Sequence, residues 1–335
     1  MYQFELIDQP NLNFDEFINT HPYGHLFQSY AWGKLKQHYG WQPLRLTFLK
    51  QNKIAAAISI LVYQLLGSQT FFYAPRGPVM DFNNTSLAKL LMNKITAIAE
   101  EKKAVFLKID PALPRIAYRF HLNLLELGFQ PAVHTNPQKM IQLTHVFRIN
   151  LPYKNPSHIT LIKSMAQFNR LSVERCTTLE NLKIFYGLLL EYSTITKIKI
   201  RSFGYYQRLW QLFQKTGVNL FFVRQKNYII GASLLISFGN TCYSLYTVYR
   251  QSHLELHPES FLHLEIMEWA AASNYQIYEI MDTFLTTKKT SLATRLFSFP
   301  IEPYAYIGEY DLVYVPFQYK IWKMLLPIYN WSVKS

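Results

Sequence analysis

Residues that staple a chain or hold metal are scarce in this sequence. Its 335 residues include only two cysteines, Cys176 and Cys242, far apart and outside any CxxC or Cys/His spacing. That excludes a disulfide framework and a cysteine-based zinc site. The ten histidines form no ligand pattern and no Gly-x-Ser-x-Gly element occurs, so metal-dependent hydrolysis and Ser/His/Asp catalysis lack their signatures. Neither a metal nor a cofactor is expected. Carboxylates are also few: 21 Asp and Glu against 34 Lys and Arg leave a formal charge of +13. Such a surplus favours polyanionic partners, whether nucleic acid, phosphorylated substrates or an anionic membrane surface. No unbroken apolar run approaches the ~20 residues of a transmembrane helix. The uncharged stretches Ile54 to Pro75 and Asn227 to Tyr249 are broken by Gly67-Ser68-Gln69 and Gly239-Asn240, and each reads as strand, turn, strand. Met1 to Pro10 carries Glu5 and Asp8 where a secretory signal has a basic start and an apolar run, so a reducing cytoplasm is the expected location.

Apolar and aromatic side chains, by contrast, are plentiful. Half of the residues are hydrophobic, with 24 Tyr, 24 Phe and 6 Trp. This composition builds a sizeable core and excludes disorder, and the length suggests two domains or one large one.

A long internal repeat supports two. The segment Gln51-Asn52-Lys53-Ile54-Ala55-Ala56-Ala57-Ile58-Ser59 aligns with Gln225-Lys226-Asn227-Tyr228-Ile229-Ile230-Gly231-Ala232-Ser233. In both copies an aromatic strand follows (Thr70 to Ala74; Thr241 to Tyr249), then a loop, then a helical pattern over Ser86 to Glu101 or Glu259 to Ala272. Each helix yields to a buried-looking strand closing on an aspartate, Ala104 to Asp110 and Gln276 to Asp282. Antiparallel strands, a helix and a parallel return strand make an α/β unit on a mixed sheet. Two long copies mean paired domains rather than a solenoid. The join is expected near Arg148 to His158, where Pro152 and Pro156 punctuate a polar segment.

Four segments, in order along nearly the whole chain, carry a resemblance. The first is His21-Pro22-Tyr23-Gly24-His25-Leu26-Phe27-Gln28-Ser29-Tyr30-Ala31-Trp32-Gly33-Lys34-Leu35-Lys36, followed by Trp41. The others are Tyr73-Ala74-Pro75-Arg76-Gly77-Pro78-Val79, Phe106-Leu107-Lys108-Ile109-Asp110-Pro111 and Tyr306-Ile307-Gly308-Glu309-Tyr310-Asp311. Together they resemble the FemABX aminoacyltransferases. The resemblance implies an α/β fold of two tandem GNAT-like (acyl-CoA N-acyltransferase fold) domains with mixed central sheets, here without the helical arm of some members. Residues 1–147 with 312–335 would bind the acceptor precursor, and 148–311 would form the aminoacyl-tRNA side. The activity implied is transfer of an amino acid from aminoacyl-tRNA to the stem-peptide amine of a peptidoglycan precursor, lipid-linked (lipid II) or UDP-linked (a UDP-MurNAc-peptide).

The family pattern, carried over, makes Lys36 or its neighbour Lys34 a phosphate-binding lysine, and Arg201 in Arg201-Ser202-Phe203-Gly204-Tyr205-Tyr206 an acceptor-phosphate contact, with Tyr205 and Tyr206 shaping the groove. Arg295 falls where relatives have a lysine near the reaction centre, placed to stabilise the oxyanion formed when an amine attacks the ester. Asp110 and Asp282 end equivalent strands; Asp110 is the candidate general base, although a structural cap is the simpler role for both. Lys163, Arg170 and Arg175 form a candidate tRNA strip, and Lys197, Lys199, Lys288 and Lys289 a second. The tail from Tyr314 to Ser335 either docks on the protein, the simpler reading, or rests on a membrane surface near a lipid-linked substrate.

Three departures from the family pattern stand out. Met165-Ala166-Gln167-Phe168-Asn169-Arg170 lacks the first cation of the family's basic segment, Met281-Asp282-Thr283-Phe284 lacks two glycines, and Tyr249-Arg250 replaces a small Gly-Ser pair. They keep open a relative that binds tRNA or a precursor without transfer. An acyl-CoA enzyme is disfavoured, because the Gln/Arg-x-x-Gly-x-Gly/Ala turn that cradles its pyrophosphate is missing from both repeats.

Overall fold

The structure, a computed structural model, describes residues 2–65, 67–132, 144–281 and 303–333, with backbone alone from 325 on. Asp282, Lys288, Lys289, Arg295 and Lys334 lie outside the described residues. The chain divides into two units, one joining Met1–Thr144 to Ala305–Val333 and the other covering His145–Tyr304.

In the first unit β1 (Gln3–Leu6) leads through α1 (Leu12–Thr20) and α2 (Tyr30–Gln37) into β2 (Trp41–Lys50), β3 (Lys53–Gln64), β4 (Thr70–Ala74) and β5 (Val79–Met80). Then come α3 (Thr85–Glu101), β6 (Ala104–Ile109), α4 (Tyr118–Glu126) and β7 (Gln130–Pro131). In the second unit β8 (His145–Asn150), α5 (Pro156–Phe168), β9 (Leu171–Cys176), α6 (Asn181–Thr196) and α7 (Phe203–Phe213) precede β10 (Val218–Gln225), β11 (Tyr228–Phe238) and β12 (Thr241–Tyr249). It continues through α8 (Pro258–Ala272) and β13 (Ile277–Ile280) to β14 (Tyr304–Ala305), where the chain returns to the first unit as β15 (Tyr310–Val313) and a terminal helix, Pro316–Val333.

The two sheets have one topology. Their strand orders are β1-β2-β3-β4-β6-β15-β7, with β5 on β3, and β9-β10-β11-β12-β13-β8-β14. Each has a parallel pair, β4 with β6 and β12 with β13, joined by a helix, α3 or α8. The repeat seen in the sequence is therefore a repeated mixed sheet. The sixth place breaks chain order in both: β15 returns from beyond the second unit to pair antiparallel with β6, and β8 enters before its own unit to pair antiparallel with β13. Pro156 occupies the first turn of α5, capped by the Asn155 side chain, where a proline costs no hydrogen bond. It opens a helix rather than punctuating a linker.

Alternation explains which side chains are buried. In β3, Ala56, Ile58, Ile60 and Val62 pack with Leu87, Leu91, Ile95 and Leu107 under α3. On the other side Leu61 joins Trp41, Phe71, Tyr73, Phe106 and two terminal-helix residues, Tyr319 and Trp322. The tail thus docks as a helix on the face opposite α3. In the second unit α5 and α8 cover one face together, burying Ile162, Leu262, Ile266 and Tyr278.

Candidate functional site

The four sequence segments meet within the first unit. Gln28, fully buried in a short turn capped by His25, donates its amide to the carbonyls of Ser59 (3.1 Å) and Pro75 (2.7 Å) and accepts the Ser59 N–H (2.8 Å). That clasp fastens the first segment to β3 and to the loop after β4. Gly77 lies against it: a Cβ there would stand 2.5 Å from the Gln28 amide carbon. Gly77→Ala is therefore expected to lower the unfolding free energy by roughly 1–3 kcal/mol, as overpacking does, read as a lower urea midpoint. An unchanged midpoint would show that the clasp yields.

Beyond the clasp, Arg76 takes a left-handed backbone, φ 57°, and turns into the protein. Its N–H donates to Asp110 Oδ1 (2.8 Å), its Nη1 lies 3.4 Å from Asp110 Oδ2, and its guanidinium sits 4.0 Å over the Tyr306 ring. Along β6, Leu107 and Ile109 face α3, while Lys108 and Asp110 face the other way. Antiparallel register sets Asp311 opposite Lys108. Lys108 Nζ reaches Asp311 Oδ1 at 2.8 Å and Glu309 Oε2 at 3.1 Å, and the Tyr319 hydroxyl donates to Asp311 Oδ2 at 2.7 Å. All five ionic side chains of this network are buried. Burial alone would lower the Lys108 ammonium, but the carboxylates of Asp311 and Glu309 hold it above its ordinary value. Burial pushes the Asp110 carboxyl up to about 7, although the Arg76 guanidinium pulls the other way. Sequence reasoning assigned roles to none of these partners of Asp110. The signal was present, since Arg76, Lys108, Glu309 and Asp311 all stand inside the recognised segments.

The candidate phosphate lysines ride on α2. The Ser29 side chain caps this helix at the Trp32 N–H, and the Tyr30 N–H donates to Asp15 Oδ1 at 2.8 Å. Arg45 of β2 lies 4.0 Å over the Tyr30 ring, so close to α2 that a Cβ on Gly33 would stand 2.4 Å from its Nη2. With the helix so fixed, Lys34 extends past Tyr30 to Gln37 Oε1 (3.2 Å), and Lys36 lies 5.0 Å from the Trp32 ring, itself stacked on Phe27 at 4.2 Å. Residues two apart on a helix face nearly opposite sides, so one groove takes one of the two.

In the second unit Arg201 holds a comparable place, in the helix pair between the first two strands of its sheet. It precedes α7 with its guanidinium 5.2 Å from the Tyr205 ring. Tyr205 and Tyr206 meet edge to face at 5.5 Å, Tyr206 meets Tyr246 at 5.2 Å, and the Tyr246 hydroxyl donates to that of Tyr205 at 3.3 Å. Tyr205 and Tyr206 are buried, and burial pushes the Tyr206 phenol far up. They back Arg201 and the half-buried Tyr246 rather than line a surface.

The cationic strip is only partly assembled. Lys163 on α5 pairs with Glu268 at 2.7 Å, and Arg175 on β9 donates to Asn219 Oδ1 (2.9 Å) and lies 4.9 Å over Trp269. Both are drawn to consecutive residues of α8. Arg170 stands apart, exposed in a left-handed turn beside the exposed Phe168. Among the described residues no cluster of His, Cys, Asp and Glu is arranged to hold a metal ion. The entry to α8 is unfavourable for an anion such as a coenzyme diphosphate, because Glu259 is buried in its first turn.

Comparison with known proteins gives the following. The FemAB family profile matches residues 10–144, and an acetyltransferase (GNAT) domain profile matches 162–283. A UDP-N-acetylmuramoylpentapeptide-lysine N(6)-alanyltransferase of Weissella viridescens is 24% identical over 322 residues, 90% of this chain and 93% of that protein. The aminoacyltransferase FemA of Staphylococcus aureus is 29% identical over 103 residues, 30% of this chain and 24% of its own. A crystal structure of FemX superposes with a TM-score of 0.82 at 18% identity, covering 95% of this chain and 99% of that one. A tandem GNAT protein from the clavulanic acid pathway superposes with a TM-score of 0.58 at 10% identity, covering 93% and 98%. The fold is thus a tandem GNAT-like α/β fold.

Proposed function

We propose that the chain is an aminoacyltransferase of the FemAB family, whose profile matches residues 10–144. In this reading it takes an amino acid from aminoacyl-tRNA and joins it to the side-chain amine of a peptidoglycan stem peptide carried on a lipid-linked or UDP-linked precursor. The observation that carries the reading is likeness over nine-tenths of the chain to an alanyltransferase that acts on the lysine of a UDP-linked muramoylpentapeptide.

The chemistry sets three requirements. An amine attacks the ester carbonyl, an N–C bond forms, and the C–O bond to the terminal ribose breaks. The acceptor ammonium gives up a proton before attack, and the departing hydroxyl gains one. The acceptor's phosphates need cations, for which Lys36, with Lys34 as alternate, and Arg201 are proposed. Tyr205 and Tyr206 hold Arg201 in place. The oxyanion needs a positive charge, for which Arg295 is proposed. The proton needs an acceptor; Asp110 is proposed, supported by a carboxyl poised near neutrality. Phosphate contacts by Lys163, Arg170 and Arg175 are proposed for the tRNA, of which Arg170 is the best presented. Acyl-CoA as donor is opposed by the buried Glu259 at the entry to α8.

The test is incubation with mixed charged tRNAs and a stem-peptide precursor, followed by mass spectrometry. A mass increase of one aminoacyl group is expected. No increase with any amino acid would reject transfer and leave a precursor-binding relative. Lys36→Ala and Arg201→Ala should each weaken precursor binding by roughly 1.5–3 kcal/mol, the range for a hydrogen bond to a charged group. Unchanged affinity in both would remove them from the acceptor site.

A further inference from the structure

The terminal helix has two apolar sides, and only one is accounted for by the core. Tyr319 and Trp322, one turn apart, are buried against Phe106, Phe71 and Trp41. The opposite side presents Phe317 at 74% exposure, Ile321 at 38% and Met324 at 70%, spaced i, i+4, i+7. Single exposed apolar side chains are ordinary on protein surfaces. Three in one row, on a helix already anchored by its other side, make a second stripe. Lys320 and Lys323, both exposed, border it. In the sequence the same spacing continues with Ile328 and Trp331, and from Leu312 to Ser335 there are three lysines and no carboxylate.

We propose that this outer stripe is a docking surface for an anionic lipid bilayer, on which the helix lies in the plane of the interface. Charge decides between occupants. A second copy meeting the same face would set Lys320 and Lys323 against their own counterparts, with no acidic residue in the segment to offset them. A bilayer bearing anionic headgroups supplies both complements: acyl chains for Phe317, Ile321 and Met324, and phosphates for the lysines. The contact is peripheral, since no described helix is long and apolar enough to cross a membrane. On the inner side the Tyr319 hydroxyl bonds Asp311, which pairs with Lys108, so the helix stays fastened to the sheet while its outer face meets lipid. The inference requires neither tRNA nor the transfer reaction and stands if that assay fails.

Co-sedimentation of the full chain with vesicles tests it. Binding is expected to mixed phosphatidylglycerol and phosphatidylcholine vesicles, weakening as salt is raised, with little binding to phosphatidylcholine alone. Phe317→Ser with Met324→Ser, and separately Lys320→Glu with Lys323→Glu, should each reduce binding about ten-fold or more, given the worth of a basic residue near an anionic surface. Every substituted position is exposed, and the salt dependence of the unaltered protein tests the claim without any variant. No binding to anionic vesicles would overturn the proposal, as would binding that neither pair of changes alters. A concentration-dependent dimer abolished by Phe317→Ser with Met324→Ser would assign the stripe to a second copy instead.

Discussion

Replacing Lys108 with methionine is expected to cost about 3–5 kcal/mol of unfolding free energy, the largest single effect on stability foreseen for this protein. The loss comes less from the attraction removed than from what stays behind. Glu309 and Asp311, both buried, would keep their carboxylates within the space the ammonium occupied, with the Tyr319 hydroxyl still aimed at one of them. Methionine fills much of the lysine stem's volume, so the packing change is small and the charge effect dominates. Two further measurements separate this cause from simple loss of bulk. Because stranded carboxylates are relieved by protonation, the deficit of the variant should shrink as pH falls. Adding Glu309→Gln and Asp311→Asn to Lys108→Met should recover part of the stability, since removing every member of a buried ionic set is far milder than removing one. A urea midpoint for Lys108→Met within a few tenths molar of the parent would show that the network is not needed to hold β15 on β6.

That network also shows what sequence reading could and could not reach. The repeated unit was legible because its signals are local: alternation in β3 and β11, helical spacing in α3 and α8, and turn residues between strands. The aromatic strands Thr70–Ala74 and Thr241–Tyr249 fall where the pattern puts them. The sixth strand of each sheet was not legible, because pairing between residues as distant as Lys108 and Glu309, 201 positions apart, leaves no local trace. Lys108 stands in an apolar run, and nothing nearby tells that its amine is met by acids from the far end of the chain. The same limit applies to Lys163, whose partner Glu268 lies 105 residues on. For Tyr205 and Tyr206 the clue was local and stronger than the motif: with Leu209, Trp210 and Phe213 they fall at helical spacing on one buried face of α7. A motif match marks residues that belong together; the packing around each decides which role it takes.

Asp110→Asn should have the largest effect on turnover. The amide is nearly isosteric and can still accept the Arg76 N–H, now held at 2.8 Å, so the loop after β4 should keep its course. What disappears is the ability to take a proton, together with the charge that faces the buried Arg76 guanidinium. If Asp110 is the base, kcat/KM should fall roughly 100- to 10,000-fold, the usual contribution of a positioned acid–base group. The pH profile distinguishes this from a positioning role. With the carboxyl raised to about 7, parent kcat/KM should climb as pH rises through neutrality and then level off, whereas the asparagine variant should lose that inflection. Stability should run the other way. A carboxyl whose value rises from 3.8 to about 7 on folding binds its proton better in the folded protein, so its contribution falls as pH rises between those limits. The folded protein is therefore driven to hold this proton in the range where the reaction needs it gone. Full activity in Asp110→Asn, with the parent's pH profile intact, would place the proton acceptor elsewhere and leave Asp110 as the anchor of Arg76.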